Sequence, residues 1–334
     1  MTGEAGDRLA PDARQLVDLM TSAFPDLGGA VTDAVEARRM IDALPKPPVA
    51  PPQVGSVEER TIPGPDGAPG IPVRIYRPDP QAATGPRPTV VFCHGGGWVI
   101  GGLDSHDITV RGLCRASGAV LVSVDYRLAP EARFPAAVED AYAALLWAAG
   151  HVGELGGDPR ALVVAGDSAG GTLSAVAALM AKERGGPAIA LQALVYPAAD
   201  AGQDTDSYRK NATGYFLGAA ALRWFWEQYL GPEGDGAHPY ASPLRAGDLA
   251  GLPPAYIVTA GCDPLCDEGQ AYAERLRRAG VTVAERHCPG MFHGFFGFSE
   301  ILDDARDALT GVAEAIASTA KGRKNRCDQG GCAG

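Results

Sequence analysis

The sequence predicts an α/β fold with an open, doubly wound and mostly parallel sheet that carries helices on both faces. Strand-like and helix-like segments alternate along most of the chain, which is the pattern of that class. Several strand-like runs, such as VLVSV and YIVTA, are almost wholly apolar, as parallel strands buried on both faces are. A chain of 334 residues with 46% hydrophobic residues is long enough to bury a large core within one domain.

Eight short segments are predicted as strands because each is a run of mostly apolar or β-branched residues. They are residues 57–62, 73–76, 89–93, 120–124, 161–165, 191–196, 255–259 and 281–287. Helical stretches separate the later strands. Residues 136–149 are an example, with Val138, Ala141, Tyr142 and Leu145 on one face, as in a helix that packs on a sheet.

Two regions depart from this alternation. Residues 1–52 are predicted as one or two amphipathic helices followed by a proline-dense linker. Residues 199–240 contain a polar loop and then an aromatic-rich helix over 217–230, and their length indicates an insertion rather than a simple connection. The main domain then spans residues 53–320, and the tail at 321–334 is expected to be disordered.

The formal net charge of −11 at pH 7 excludes one class of partner. An acidic chain repels phosphate backbones and no basic stripe compensates, so we expect no nucleic-acid partner. No stretch approaches the roughly 18 apolar residues of a membrane span, and the first residues lack the apolar core of a secretory signal. The seven cysteines show no disulfide-framework spacing, which favours reduced thiols in a cytoplasm. High alanine, glycine, proline and arginine usage indicates a bacterium with GC-rich DNA.

The first chemical signal is a serine in a glycine-rich turn. Ser168 lies in the run GDSAGG (166–171), directly after the strand-like ALVVA and before the helical TLSAVAALMA. A sharp strand-to-helix turn exposes a serine as a nucleophile and places a helix N-terminus behind it. Side chains at positions 166 and 170 would collide across such a turn, which accounts for the two glycines. The motif alone also fits a plain glycine-rich connection, and its strand and helix context favours the nucleophile.

A second glycine run, HGGGW (94–98), follows the predicted strand at 89–93. Consecutive glycines let a backbone approach a ligand closely and direct N–H groups at it. A phosphate-binding loop is the competing interpretation, but neither a following lysine nor GxGxxG spacing is present. A loop that donates hydrogen bonds to an oxyanion therefore fits better.

An acid and a base follow at the ends of later strands. Asp263 ends the run AYIVTAGCD, so its side chain is expected at the carboxyl edge of the sheet, beside Ser168. His293 lies in CPGMFHGFF, after the last predicted strand. A histidine among aromatics is usually a packed core residue, but the chain order Ser, Asp, His is that of triads on the α/β-hydrolase fold. Asp267 and Glu268 fall in the first turn of the next helix, where they are expected to serve the helix dipole.

Several motifs stand in order from about residue 55 to 320. They are HGGGW, YRLAPE (126–131), GDSAGG, NATGYFL through WFWEQYL, SPL (242–244), DPLCDEG and HGF. Together they resemble the hormone-sensitive-lipase family of esterases. The resemblance implies an α/β-hydrolase fold, with a mostly parallel eight-stranded sheet flanked by helices. It also implies a helical cap built from the N-terminal segment and the insertion at 199–240.

The resemblance further implies the roles of individual residues. The catalytic triad would be Ser168, Asp263 and His293. The oxyanion hole would be formed by the N–H groups of Gly95, Gly96 and Ala169. Cys262 and Cys266 depart from the family's pattern around the acid. A redox clip between these two cysteines is less favoured than small packing residues in a reducing cell.

The sequence thus predicts a serine carboxylesterase that hydrolyses short- to medium-chain acyl esters through an acyl-enzyme intermediate. Its partner would be a small uncharged ester, because a capped pocket favours soluble substrates over lipid droplets; the resemblance also allows a homodimer. Trp98 and Phe216 are predicted to line the acyl pocket. No cofactor and no metal are expected, since His287, Cys288 and His293 lack a recognised ligand spacing.

Two alternatives to the esterase stay open at this point. An amidase or deacetylase of the same fold is one, because the same triad cleaves both kinds of bond. A non-catalytic small-molecule binding module is the other, and the presence of His293 argues against it.

Overall fold

A computed structural model of the chain describes residues 8–45, 49–80 and 87–321. Within these ranges the helices are α1 (Pro11–Ala23), α2 (Ala34–Asp42), α3 (Asp107–Ser117), α4 (Ala136–Gly150), α5 (Ala169–Arg184), α6 (Asp206–Lys210), α7 (Ala219–Leu230), α8 (Cys266–Arg278) and α9 (Asp303–Lys321). The strands are β1 (Ser56–Ile62), β2 (Ile71–Arg77), β3 (Thr89–Cys93), β4 (Val120–Val124), β5 (Leu162–Asp167), β6 (Leu191–Val195), β7 (Ala255–Cys262) and β8 (Val283–Phe292). The tail expected to be disordered lies outside the described residues from position 322 onward. None of the helices described here is long and apolar enough to cross a membrane.

All eight strands form one sheet in the order β1-β2-β4-β3-β5-β6-β7-β8. The pairs β1–β2 and β2–β4 are antiparallel and the other neighbours are parallel, which confirms the predicted mostly parallel sheet. Every predicted segment contains a strand, and four of the strands continue beyond their predicted ends. Of these, β5 ends at Asp167, β7 at Cys262 and β8 at Phe292, each one residue before a predicted catalytic side chain. The ends of these strands therefore position the predicted catalytic side chains.

The two faces of the sheet build two apolar cores. In β3, Val91 and Cys93 belong to one core, and Val90 and Phe92 belong to the other, because successive side chains of a strand point to opposite faces. Helices α4, α5 and α8 contribute to the first core, whereas α3 and α9 contribute to the second. The doubly wound arrangement predicted from the alternating pattern is confirmed.

Helix α5, which follows Ser168, is buried on all sides over residues 169–181. A helix that is apolar around its whole circumference is a core helix. The turn that carries Ser168 therefore leads directly into a helix that is buried over residues 169–181.

The YRLAPE motif is fixed by a buried ion pair. The side chain of Asp140 in α4 is fully buried, and it accepts hydrogen bonds from the backbone N–H of Arg127 at 2.9 Å and from its guanidinium Nη2 at 2.7 Å. Arg127 follows β4, so this pair ties the loop after β4 to α4. The motif thus has a structural function in holding the loop that packs beside the HGGGW turn, where the backbone N–H of Ala129 donates to the carbonyl of Trp98 at 2.8 Å.

The N-terminal helices and the insertion lie against each other above the sheet edge. The predicted N-terminal helices are α1 and α2, and the predicted aromatic helix is α7, which begins at Ala219. The indole N–H of Trp224 in α7 donates to the carbonyl of Thr32 at 2.7 Å. The guanidinium of Arg38 in α2 donates to the carbonyl of Val99 at 2.7 Å. These contacts join the two segments to one another and to the HGGGW loop.

Asp267 and Glu268 lie in the first turn of α8 as predicted, but each carboxylate bonds the backbone of the insertion. Asp267 Oδ2 accepts from the N–H of Ser207 at 2.7 Å, and Glu268 Oε1 accepts from the N–H of Ala199 at 2.7 Å. Glu268 is 1% exposed, and its Oε2 has no hydrogen-bond partner in the described part of the chain. Beyond the predicted place at the helix N-terminus, both carboxylates thus tie α8 to the insertion.

We expect Glu268→Gln to stabilise the protein at alkaline pH. Burial raises the pKa of Glu268 well above its usual value, so the native state keeps a proton that the unfolded state has lost. The contribution of Glu268 to stability is therefore present below the usual pKa near 4.3 and is lost as the pH rises toward the raised value. Glutamine cannot ionise, and its oxygen can still accept from Ala199. The melting temperature should be equal for both proteins near pH 4 and higher for the variant at pH 9.

The gain should appear as a higher free energy of unfolding for Glu268→Gln than for wild type at pH 9. Glu233→Gln is the matched control, because Glu233 is exposed. Parallel melting curves of Glu268→Gln and wild type across the whole pH range would contradict the raised pKa.

Candidate active site

Three side chains meet at the carboxyl edge of the sheet, as the sequence predicts. Ser168 follows β5, Asp263 follows β7 and His293 follows β8. His293 Nε2 lies 2.8 Å from Ser168 Oγ, and His293 Nδ1 lies 2.7 Å from Asp263 Oδ2. These are the distances of a nucleophile bonded to a general base and of that base bonded to an orienting acid.

The acid of this set is fully buried and both of its oxygens are engaged. Asp263 is 0% exposed, whereas Ser168 and His293 are each 8% exposed. Asp263 Oδ1 accepts from the N–H of Leu265 at 2.8 Å, which leaves Oδ2 for His293. An ionised carboxylate only accepts hydrogen bonds, so His293 Nδ1 carries a proton and Nε2 is free to accept the Ser168 hydroxyl proton. The amide of Asn211 also donates to the Asp263 carbonyl at 2.8 Å.

The turn at Ser168 has the strain that the glycine motif predicts. Ser168 has φ of 53° and ψ of −122°, a backbone region that side chains rarely adopt. A Cβ at Gly170 would lie 1.9 Å from the Cys93 carbonyl oxygen, and one at Gly166 would lie 2.4 Å from the Gly170 carbonyl. The predicted collision across the turn is therefore real, and neither glycine can be replaced without moving backbone.

The HGGGW loop lies opposite this turn, and its hydrogen bonds contradict the predicted oxyanion-hole role of Gly95. The N–H of Gly95 donates to Asp167 Oδ1 at 3.0 Å, so this N–H is already satisfied and is not available to an oxyanion. Gly96 and Gly97 have φ of +116° and +58°, and the described residues supply no acceptor to their N–H groups. Ala169 opens α5, where the N–H groups of a helix have no intrahelical partner. The N–H groups free to donate to an oxyanion are therefore those of Gly96, Gly97 and Ala169, rather than those of Gly95, Gly96 and Ala169.

An apolar cavity of about 520 Å³ opens above Ser168 and His293. Phe24 and Leu27 line it from the N-terminal segment, and Phe216, Leu222 and Phe225 line it from the insertion. The rings of Phe24 and Phe216 meet edge to face with centroids 5.2 Å apart. This volume and lining are typical of a site for a small apolar molecule.

The two predicted pocket residues differ in what their side chains do. Phe216 borders the cavity and is half-buried. Trp98 also borders it, but its residue is 1% exposed and its ring stacks on Tyr229 with centroids 4.1 Å apart. The indole of Trp98 therefore supports the loop from below, and little of it can contact a ligand.

Two polar residues behind the loop were not assigned a role from the sequence. Asp167 stands inside the GDSAGG motif, and His106 lies 61 residues earlier with Nε2 3.4 Å from Asp167 Oδ2. Burial alone would raise the pKa of Asp167, but His106 and the other nearby histidines favour the carboxylate, and the pKa is lowered. No sequence spacing joins the two residues, so only the fold reveals their contact.

A Ser–His–Asp relay at the carboxyl edge of a mostly parallel sheet, beneath an apolar cavity, defines a serine hydrolase of the α/β-hydrolase type. A family model described as alpha/beta hydrolase fold matches residues 90–297. The chain belongs to the hormone-sensitive-lipase-like family of α/β-hydrolase esterases and is a carboxylic ester hydrolase.

Curated relatives and solved structures agree with this assignment. Carboxylesterase NlhH of Mycobacterium tuberculosis is 40% identical over 89% of this chain and 93% of its own length. The ethyl acetate hydrolase of Pseudomonas putida is 39% identical over 74% of this chain and 78% of its own length. The hyperthermophilic esterase of Pyrobaculum calidifontis superposes with a TM-score of 0.82 at 40% identity, covering 94% of this chain and 99% of that structure. An ester hydrolase from the metagenome of Lake Arreo, complexed with a bipyridine phosphonate derivative, has a TM-score of 0.85 at 38% identity and covers 93% and 98%.

Proposed function

We propose that the chain hydrolyses small uncharged esters with short to medium acyl chains, and that Ser168 forms the acyl-enzyme intermediate. The observation that carries this proposal is the hydrogen-bonded relay from Ser168 through His293 to Asp263, which opens into the apolar cavity. The 2.8 Å contact between Ser168 Oγ and His293 Nε2 is short enough for direct proton transfer.

Acylation follows from the proton positions in the relay. His293 Nε2 takes the hydroxyl proton as Ser168 Oγ attacks the ester carbonyl, and Asp263 stabilises the imidazolium that forms. The N–H groups of Gly96, Gly97 and Ala169 hold the negative oxygen of the tetrahedral intermediate. Loss of one such donor typically costs about 10² to 10³ in kcat, so these donors are a large part of the rate enhancement.

Acylation ends when His293 gives its proton to the departing alcohol and the acyl group stays on Ser168 Oγ. Deacylation then repeats these proton movements with water. A water molecule then takes the place of the alcohol, and His293 removes its proton as the water attacks the acyl carbonyl. The bond between the acyl carbon and Ser168 Oγ then breaks, and Ser168 Oγ takes the proton back from His293. This step restores the original hydrogen bonds among Ser168, His293 and Asp263.

The shape of the cavity supports a limit on acyl length. The Phe24–Phe216 contact joins the N-terminal segment to the insertion at the cavity wall. A long acyl chain would have to displace this contact, which is worth about 0.5 to 1.5 kcal/mol beyond the area that it buries. Short chains fit within the existing cavity.

We expect kcat/KM for p-nitrophenyl esters to be highest between acetate and octanoate and to fall at least tenfold toward palmitate. The measurement is initial rates across the series at one pH, together with emulsified tributyrin and a long-chain triglyceride. Faster turnover of the long-chain triglyceride than of aryl butyrate would contradict the short-chain proposal. A matched butyryl anilide tests the amidase alternative, since it differs from the ester only in the bond that is cleaved.

We also propose a cytoplasmic location. Cys93, Cys114, Cys262, Cys266 and Cys288 are all buried and unpaired, as cysteines of reducing compartments are. The homodimer suggested by the family resemblance stays a prediction.

A further inference from the structure

One carboxylate bridges the nucleophile turn and the HGGGW loop. Asp167 is the last residue of β5 and directly precedes Ser168. Its Oδ1 accepts from the N–H of Gly95 at 3.0 Å. A Cβ at Gly95 would lie 2.4 Å from Asp167 Oδ2 and 3.1 Å from the Asp167 carbonyl oxygen, so Asp167 packs directly against the loop at Gly95. Any movement of Asp167 would therefore move the loop.

His106 lies on the other side of this carboxylate. Its Nε2 is 3.3 Å from Asp167 Oδ1 and 3.4 Å from Oδ2, and its Nδ1 is 2.8 Å from Ser105 Oγ. The Ser105 hydroxyl donates to the carbonyl of Gly102 at 2.9 Å. His106 Nε2 also lies 3.3 Å from the Gly95 nitrogen, so the imidazole contacts both the Asp167 carboxylate and the HGGGW loop.

The surroundings favour this pair over other partners. The side chains of His106 and Asp167 are only 18% and 11% exposed, and a carboxylate at such a site needs close hydrogen-bond partners. His94 is the next titratable group, with its ring centroid 5.4 Å from that of His106, but burial lowers the pKa of His94 to about 3. His94 is therefore neutral at working pH, and its Nδ1–H donates to the Gly95 carbonyl at 2.7 Å.

We propose that Asp167 and His106 act as a positioning pair that fixes the HGGGW loop against the Ser168 turn, so that the N–H groups of Gly96 and Gly97 meet the oxyanion. This inference rests on the proposed function, because it concerns the transition state of that reaction. Asp167, next to the nucleophile, accepts the hydrogen bond from the Gly95 N–H, and the imidazole of His106 contacts the Asp167 carboxylate. The pair acts through Gly95 and transfers no proton to the substrate.

The pair should affect the transition state more than substrate binding. The ester ground state is bound by the apolar cavity, whereas the oxyanion forms only during reaction, so a misplaced loop lowers kcat and leaves KM nearly unchanged. For p-nitrophenyl butyrate we expect His106→Ala to lower kcat about 30- to 100-fold with KM within about threefold. His106→Gln, whose amide can still donate to Asp167, should lose less. Asp167→Asn keeps an acceptor for Gly95 but loses the charge, and should fall between them.

The inhibition constant of a trifluoromethyl ketone tests this inference directly. Its adduct with Ser168 carries an oxyanion, as the tetrahedral intermediate does. Its Ki should rise in each variant by about the same factor as kcat falls. His151→Ala is the matched control, since His151 is also half-buried and bonded through Nδ1 but lies at the end of α4, bonded to Trp147. Melting temperatures of all variants show whether each protein is folded at the assay temperature.

Two results would overturn this inference alone. One is wild-type kcat and ketone affinity in both His106→Ala and Asp167→Asn. The other is a loss that lies entirely in KM, which would assign the pair to substrate binding. A wild-type protein without activity on any ester would instead overturn the proposed function, and this inference with it.

Discussion

Replacing Ser168 by alanine is expected to lower kcat toward p-nitrophenyl butyrate by about 10⁶-fold, the scale seen when a serine hydrolase loses its nucleophile. Ser168 Oγ is the atom that His293 Nε2 contacts at 2.8 Å, and no acyl-enzyme can form without it. The cavity keeps its shape, so the variant should still bind the ester. The measurement is kcat by stopped assay at high enzyme concentration, with binding followed by calorimetry.

Ser318→Ala serves as the matched control, because Ser318 is exposed on α9 and bonds only its own helix, at the carbonyl of Ala315. An aryl phosphonate gives an independent readout, since it should add its mass to wild type and to Ser318→Ala but not to Ser168→Ala. More than about one per cent residual kcat in Ser168→Ala, free of wild-type contamination, would remove Ser168 from the proposed role.

The second large effect is expected on stability. Asp140→Ala should lower the free energy of unfolding by about 3 kcal/mol, the lower end of the range for breaking a buried ion pair. Asp140 is fully buried while the Arg127 side chain is 31% exposed, so the cation left behind is partly solvated. The measurement is urea unfolding followed by tryptophan fluorescence at neutral pH.

Asp303→Ala is the comparison that separates a buried pair from an exposed one. Asp303 is 90% exposed and pairs with Arg306 at 2.7 Å within α9, so its loss should cost less than about 1 kcal/mol. Equal unfolding midpoints for Asp140→Ala and wild type would show that the pair does not hold the loop after β4.

Much of the site could be predicted because its signals are local. The strands are recognisable as apolar runs, and parallel strands bring their carboxyl ends to one edge. Ser168, Asp263 and His293 each follow such a run, so their meeting follows from the topology. The glycines around Ser168 were also explained in advance, since the collision at Gly170 depends only on the turn itself.

What could not be predicted depends on contacts between distant side chains. The N–H of Gly95 is engaged by Asp167, 72 residues away, and nothing near Gly95 in the sequence indicates this. His106 has no motif of its own, and the hydrogen bond from the N–H of Ala199 to Glu268 joins residues that are 69 positions apart. Trp98 stacks on Tyr229, a contact that exists only once the insertion lies in place.

The burial of α5 over residues 169–181 separates a part of the molecule that does not tolerate substitution from a part that does. Each residue from 169 to 181 is enclosed, and a change of even one methylene in such packing is felt by its neighbours. Laboratory evolution toward new esters should therefore collect its accepted mutations in the walls around Phe24 and Phe216, while the helix behind Ser168 stays invariant. The same fold can therefore accept different ester substrates while its catalytic residues stay unchanged.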